Sequence, residues 1–274
     1  MSHAMPKVNP IFEVRNLGVE REAVILRDVN WRVDRGQHWV ILGANGSGKT
    51  SLLRVLTGYL MPSRGEVRIG EAEFGAADWR DVRQVIGLVS SSLGHSIEPG
   101  QTARDVILSG QDAQINYWRD PQPAEARRAA RVLRQVQAVH LVGRPWSYLS
   151  QGERQRVLIG RALMAPLKML ILDEPAAGLD PIAREDFLAF LTGLARQRHA
   201  PTLVLVTHHV EEIAPFFTHV LLIRGGTTFA AGPRESILTS ARLAATFGSP
   251  VTLRRTAGRY RLHVGRHAVS FARS

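Results

Sequence analysis

Cysteine is absent from the 274 residues, and lysine occurs only at Lys7, Lys49 and Lys168. The first absence excludes disulfides and thiolate metal sites. The second makes each lysine informative, because the 35 Lys+Arg set against 24 Asp+Glu leave a net charge of +11 carried almost wholly by arginine. Such an arginine bias, spread over solvated faces, would be enough for the high pI, and net charge alone does not decide between that and a dedicated partner. No apolar run approaches the roughly eighteen residues of a membrane span, and the N-terminal region lacks the basic, apolar and small-residue succession of a signal peptide. The expectation is therefore a cytoplasmic protein. Internal repeats and low-complexity tracts are lacking too, and a hydrophobic share of 45% suits one large globular domain with an appendage.

What is present is a set of short apolar runs separated by helical stretches. Residues 8–40 alternate enough for two or three strands, with a turn near Asp34-Arg35-Gly36. Val40 to Leu42, Val85 to Val89, Met169 to Leu172 and Leu203 to Val206 read as further strands. Thr102 to Val142 has helical periodicity, and Gln155 to Pro166 predicts another helix. Continuous apolar strands between helices imply a parallel sheet covered on both faces, with functional groups at the carboxyl ends of its strands.

The strand at Val40 runs directly into G-A-N-G-S-G-K-T, Gly43 to Thr50. Glycines at this spacing let successive backbone N–H groups turn inward around a phosphate chain; Lys49 supplies a point charge and Thr50 a hydroxyl for magnesium. The strand at Met169 delivers Asp173 to a metal shell and leaves Glu174 beside it to orient or deprotonate a water. Two adjacent acids alone would equally cap the turn begun by Pro175. Leu149 to Arg156, L-S-Q-G-E-R-Q-R, places the small hydroxyl of Ser150 and the bare backbone of Gly152 at a helix start, which makes a second anion site.

With G-A-N-G-S-G-K-T, L-S-Q-G-E, I-L-D-E-P, A-G-L-D and T-H in that order, about residues 8–234 resemble the ATP-binding cassette (ABC) ATPases. The resemblance implies an α/β fold: a P-loop NTPase (RecA-like) parallel-sheet core with an antiparallel β subdomain and an inserted helical subdomain at about residues 92–150. The cassette would span residues 8–235, and residues 236–274 would form a small basic C-terminal β extension. It further implies ATP and Mg2+: phosphates at Gly43, Asn45, Gly46, Gly48, Lys49, Thr50 and Ser51, magnesium at Thr50 and Asp173, and water at Glu174. His208 corresponds to the family's switch histidine at the γ-phosphate, and Asp180 to the loop that links two sites across a dimer. In this family two cassettes pair head to tail, so Ser150 and Gly152 would face a nucleotide held by a second copy of the chain. With no span of its own, the chain would power separate transmembrane subunits at the inner face of a membrane. The alternative is an ABC ATPase acting on nucleic acid, ribosome or cofactor assembly.

Two departures from the family stand out. Glu20 occupies the place of the aromatic residue that stacks on adenine, and a carboxylate has no π-face. Ser91 stands where the family has a glutamine reaching magnesium and the attacking water, so Ser91 could reach the metal only through a water or a shifted loop. From Ser236 onward the chain has seven arginines and no acid. V-T-L-R-R, T-A-G and R-Y-R-L-H-V predict a hairpin with Val251, Leu253, Tyr260, Leu262 and Val264 on one face and arginine on the other. Nucleic acid as a partner is disfavoured, since stacking aromatics are missing beyond Tyr260 and Phe271.

Overall fold

The computed structural model describes residues 10–70, 72–73, 85–112 and 114–265. The expected cassette start at residue 8, residues 266–274 of the extension with Phe271, and the side chain of Ser91 lie outside the described residues. Strands β1 (Phe12–Glu20), β2 (Val24–Val33) and β3 (Trp39–Leu42) lead into helix α1 (Lys49–Leu56). Then come β4 (Arg64–Ile69), β5 (Ala72–Glu73), β6 (Ile86–Ser90) and the helices α2 (Ser91–His95), α3 (Ala103–Ser109), α4 (Pro123–Gln135) and α5 (Gln151–Leu163). The chain continues through β7 (Met169–Asp173), α6 (Pro181–Ala195), β8 (Thr202–Thr207), β9 (His219–Arg224) and β10 (Thr227–Pro233). It closes with α7 (Arg234–Ile237), α8 (Ser240–Phe247), β11 (Val251–Thr256) and β12 (Arg259–Val264).

The main sheet has the order β10-β9-β3-β8-β7-β6. Its pairings are parallel, except that β10 runs antiparallel to β9. A second, antiparallel sheet has the order β2-β1-β4-β5. Alternation along the central strands explains their unbroken apolar runs. Val40, Leu42, Leu170, Leu172, Leu203 and Leu205 enter one core with the helical layer. Trp39, Ile41, Met169, Ile171, Val204 and Val206 enter the other with β1, β2 and α1. Successive residues point to opposite faces and both faces are covered, so polar residues on these strands are confined to their ends, at Asp173, Thr202 and Thr207.

The helical layer differs from the sequence expectation in two places. The single periodicity from Thr102 to Val142 is broken between Ser109 and Pro123. Gly110 approaches α5 so closely that a Cβ there would collide with the Arg161 carbonyl, and the helix stops at this crossing. α5 starts at Gln151, four residues before the predicted Gln155, because Ser150 and Glu153 form a capping box: Ser150 N–H donates to Glu153 Oε2 at 2.7 Å, and Glu153 N–H donates to Ser150 Oγ at 3.3 Å. Gly152 thus lies inside the first turn rather than before it.

His38, at the entry to β3, joins distant parts of the sheet. Its Nδ1 accepts the Leu203 N–H at 3.0 Å, and its carbonyl accepts from Thr218 and His219 N–H at 2.9 and 3.0 Å. Burial lowers its pKa below the ordinary 6.5, and an accepting Nδ1 requires the neutral ring. Below pH 6.5 the unfolded chain then takes up a proton that the folded chain resists. This contribution to stability is complete above pH 6.5 and is lost progressively as pH falls to the folded value. Urea midpoints between about pH 8 and 5 should fall with acid, and should fall less for His38→Asn, which retains an acceptor but cannot be protonated. An equal acid loss in the variant would rule His38 out as the source.

At the C terminus, β11 and β12 form the predicted hairpin, in the register Val251↔Val264, Leu253↔Leu262 and Arg255↔Tyr260. Val251 and Tyr260 are buried in the main core, with Leu253 and Leu262 packed against it. Arg254, Arg259 and Arg261 take the other face, as expected, and one hairpin arginine departs from it. Arg255 lies on the apolar face, paired with Glu235 at 3.0 Å and 5.5 Å from the Tyr260 ring. Arg259 folds onto the cassette and forks onto Glu185, with both contacts at 2.8 Å. Of the four hairpin arginines, Arg254 and Arg261 remain exposed without an ion pair among the described residues.

Candidate active site

The phosphate loop hangs from the carboxyl end of β3. A Cβ at Gly43 would come within 2.5 Å of both the Ile223 carbonyl and Ser47 Oγ, so only glycine fits there. Gly46 and Gly48 have φ of 75° and 101°, the left-handed backbone that curls the loop. Gly48 is the N-cap of α1 and offers no side-chain acceptor, so the first-turn N–H groups of that helix remain open to an anion. Asn45 and Thr50 are exposed and Ser51 is half-buried. Lys49 is buried, and its Nζ donates to the Gly43 and Ala44 carbonyls at 2.8 and 3.0 Å.

Neighbouring strand ends bring the acids to this loop. Register places Ser90 beside Asp173, Asp173 beside Val206, and Thr207 beside Leu42, so the loops after β6, β7, β8 and β3 leave the sheet side by side. Burial raises the Asp173 carboxyl above its ordinary range; the Glu174 charge adds to this and Lys49 opposes it. Burial lowers the Lys49 ammonium, against the pull of Glu174 and Asp173. Glu174 takes a φ of 47°, held by its N–H on the Val206 carbonyl at 2.9 Å. A side chain with positive φ costs on the order of 1 kcal/mol or more, a strain that is characteristic of functional positions. Glu174 Oε1 stands 3.2 Å from His208 Nδ1. The His209 ring lies 4.0 Å from that of His208, and the His209 backbone N–H donates to the Thr207 hydroxyl at 3.0 Å.

Lys49, Asp173, Glu174 and His208 are thus brought together within one chain. Ser150, Gly152 and Asp180 are not joined to them by any hydrogen bond among the described residues. Asp180 Oδ1 accepts the N–H groups of Ile182 and Ala183, each at 2.9 Å, and so caps α6. Ser150 and Gly152 line a cleft of 240 Å³ with Arg156, Ala183 and Asp186. The nearest atom to a Cβ at Gly152 would be Leu179 Cδ2 at 3.9 Å, so the chain itself leaves room there for a side chain. Ser150 Oγ accepts from Glu153 and keeps its own proton to donate. Glu20 is exposed, its N–H donating to Ser63 Oγ at 2.9 Å. Ser91 begins α2 at the end of β6.

Sequence reasoning missed Glu212, buried in the turn that follows His208 and His209, with its carboxyl raised by burial against a bond to Thr207. In V-E-E it is indistinguishable from Glu211, and only the packing sorts the two. The site fits a nucleotide with magnesium. Open helix N–H groups and a lysine suit phosphates, while the Thr50 hydroxyl and Asp173 carboxylate are hard oxygen donors. A cation at Asp173 relieves the cost of burying that charge.

The sequence profile of the ABC transporter family matches residues 26–177. The chain belongs to this family. It is 40% identical to the uncharacterised ABC transporter ATP-binding protein YlmA of Bacillus subtilis (strain 168), over 88% of this chain and 92% of the relative. It is 30% identical to the molybdate import ATP-binding protein MolC of Haemophilus influenzae, over 89% and 90% of the two chains. A chain of an ABC transporter assigned to the metal-chelate type, solved in an inward-facing conformation, superposes with a TM-score of 0.76 at 28% identity, over 94% of this cassette and 97% of that chain. ATP hydrolysis is the general activity of the family's cassettes, and the similar proteins are ATP-binding subunits of transporters.

Proposed function

We propose that the cassette binds Mg-ATP and hydrolyses it in two composite sites formed head to tail with a second copy, driving separate transmembrane subunits at the cytoplasmic face of a membrane. The observation that carries this reading is the convergence of Lys49, Asp173 and the Glu174–His208 contact at adjacent strand ends. Gly43, Asn45, Gly46, Gly48, Lys49, Thr50 and Ser51 form the phosphate cradle, and Lys49 moves from its own carbonyls to the outer phosphates. Thr50 and Asp173 would hold magnesium, with Ser91, next along the chain from the Ser90 that pairs with Asp173, acting through a water. Magnesium, when bound, neutralises charge on the transferring phosphoryl group. Glu174 accepts the proton of the attacking water, and His208 contacts the γ-phosphate. Gly152 supports the composite site: a glycine for which its own chain leaves room suits a surface that a partner's nucleotide must approach closely. Asp180 caps α6 beside that surface and carries the link between the two sites.

The nucleic-acid alternative loses two of the four hairpin arginines, since Arg255 and Arg259 are paired with Glu235 and Glu185. ATPase rates measured at physiological salt should not respond to added DNA or RNA, and should rise when the cassette is assembled with its membrane subunits. Arg254→Gln/Arg261→Gln should match the unaltered chain. Strong stimulation by nucleic acid that this variant loses would sink the transporter reading.

A further inference from the structure

We propose that Arg259, in the C-terminal hairpin, is a positioning residue for hydrolysis that acts through His208; the inference rests on the γ-phosphate role given to His208 above. His208 and His209 span a gap between two anchors. On one side is Thr207, the last residue of β8, paired with Leu42 in the sheet. On the other is the short 3-10 turn Val210–Glu212, whose inner side is fixed by fully buried Val210 and buried Glu212. The hairpin holds the outer side of that turn. Arg259 Nη2 donates to the Glu211 carbonyl at 2.8 Å, and Leu262 N–H donates to Glu211 Oε1 at 3.0 Å. The same guanidinium is forked onto Glu185 of α6, the helix capped by Asp180. A single side chain therefore locks the segment after the switch histidine to the segment after the dimer-linking loop.

Stability does not account for this arrangement. The Glu185 side chain is 55% exposed, and an ion pair so open to water adds little to folding. The hairpin is already held by buried Val251 and Tyr260, by the Leu253 N–H on Ser240 Oγ at 2.9 Å, and by the Tyr260 hydroxyl near Glu235. Removing the Arg259 guanidinium leaves these contacts in place and frees the Glu211 carbonyl. The turn after His208, whose ring lies 3.2 Å from Glu174, then keeps its buried side and the Leu262 bond but loses its tie to α6, so the second anchor is loosened. Small displacements of a group that meets the reacting phosphate cost turnover rather than nucleotide affinity.

The test is a double-mutant cycle on the full-length chain, with kcat and KM for ATP measured for Arg259→Ala, His208→Ala and the pair. Arg259→Ala should lower kcat about tenfold with KM unchanged, and should add no further loss in the His208→Ala background. Arg259→Lys keeps the charge and one donor, so it should recover part of the rate. Glu185→Gln, which leaves the hairpin intact, should shift kcat in the same direction and replaces Arg259→Ala if that variant does not fold. A normal rate for Arg259→Ala (or its Glu185→Gln replacement) beside a slow His208→Ala overturns the inference alone, as do fully additive losses. A normal rate for His208→Ala refutes the role given to His208 and the inference with it.

Discussion

Glu174→Gln should bind ATP as the unaltered chain does while its turnover falls by about 10²–10⁴-fold, the loss expected when a general base is removed. Glutamine keeps the shape and the positive-φ backbone held on Val206 but cannot accept the proton of the attacking water. The phosphate cradle is untouched, because Lys49 and the α1 N terminus make no hydrogen bond to the Glu174 side chain. The neighbours change in known directions. Asp173 loses a charge that raises its carboxyl and so ionises more readily, which favours magnesium binding. Lys49 loses one of the two charges that sustain its ammonium against burial. With ATP bound and hydrolysis stopped, the paired state should accumulate, visible as a dimer in size exclusion with ATP and magnesium. A glutamine variant that hydrolyses ATP at the normal rate would show that Glu174 is not the base.

Mixed dimers should test the composite site with an effect of similar size. Lys49→Ala removes the charge aimed at the phosphates, and Ser150→Arg fills the cleft in which Ser150 and Gly152 sit; each homodimer should lose about 10²-fold or more in rate. Losing the Ser150 cap costs α5 only about 1 kcal/mol, and nucleotide binding by the separate Ser150→Arg chain should persist. When the two variants are combined, one composite site carries both defects and the other carries neither. Activity should return in part. No recovery in a verified mixed dimer would mean that each chain completes its own site.

Much of this arrangement was legible in the residues, for a specific physical reason. β3, β7 and β8 are buried on both faces, so their continuous apolar runs announce them, and the groups that follow, Gly43, Asp173 and His208, fall at their carboxyl ends. β9 has the same kind of run, Val220 to Ile223, and belongs with them by the same rule, although it lies outside the strands predicted above. β4 is different. In R-G-E-V-R-I only Val67 and Ile69 are buried, and such a half-covered strand reads as a polar turn. The contact between Glu174 and His208 could not be read, because it joins residues 34 apart in the chain through the pairing of β7 with β8. The bond from Arg259 to Glu185 spans 74 residues and follows no local pattern. The capping box of α5 is legible as S-x-x-E in Ser150 and Glu153, although the same serine also reads as an anion donor at a helix start.

The central place of β3 has a consequence for how the chain is made. Its neighbours are β8 and β9, and the bonds of His38 that bring them in reach residues 165 and 180 positions further along. A ribosome delivers Gly43 to Thr50 early, but the strand that supports them gains no partner in its own sheet until most of the polypeptide has emerged. Contacts so distant along the chain close slowly. Nascent chains should therefore carry the Gly43 to Thr50 loop without its supporting sheet until β8 and β9 have been made, and ATP should not act as a template for the early steps of folding.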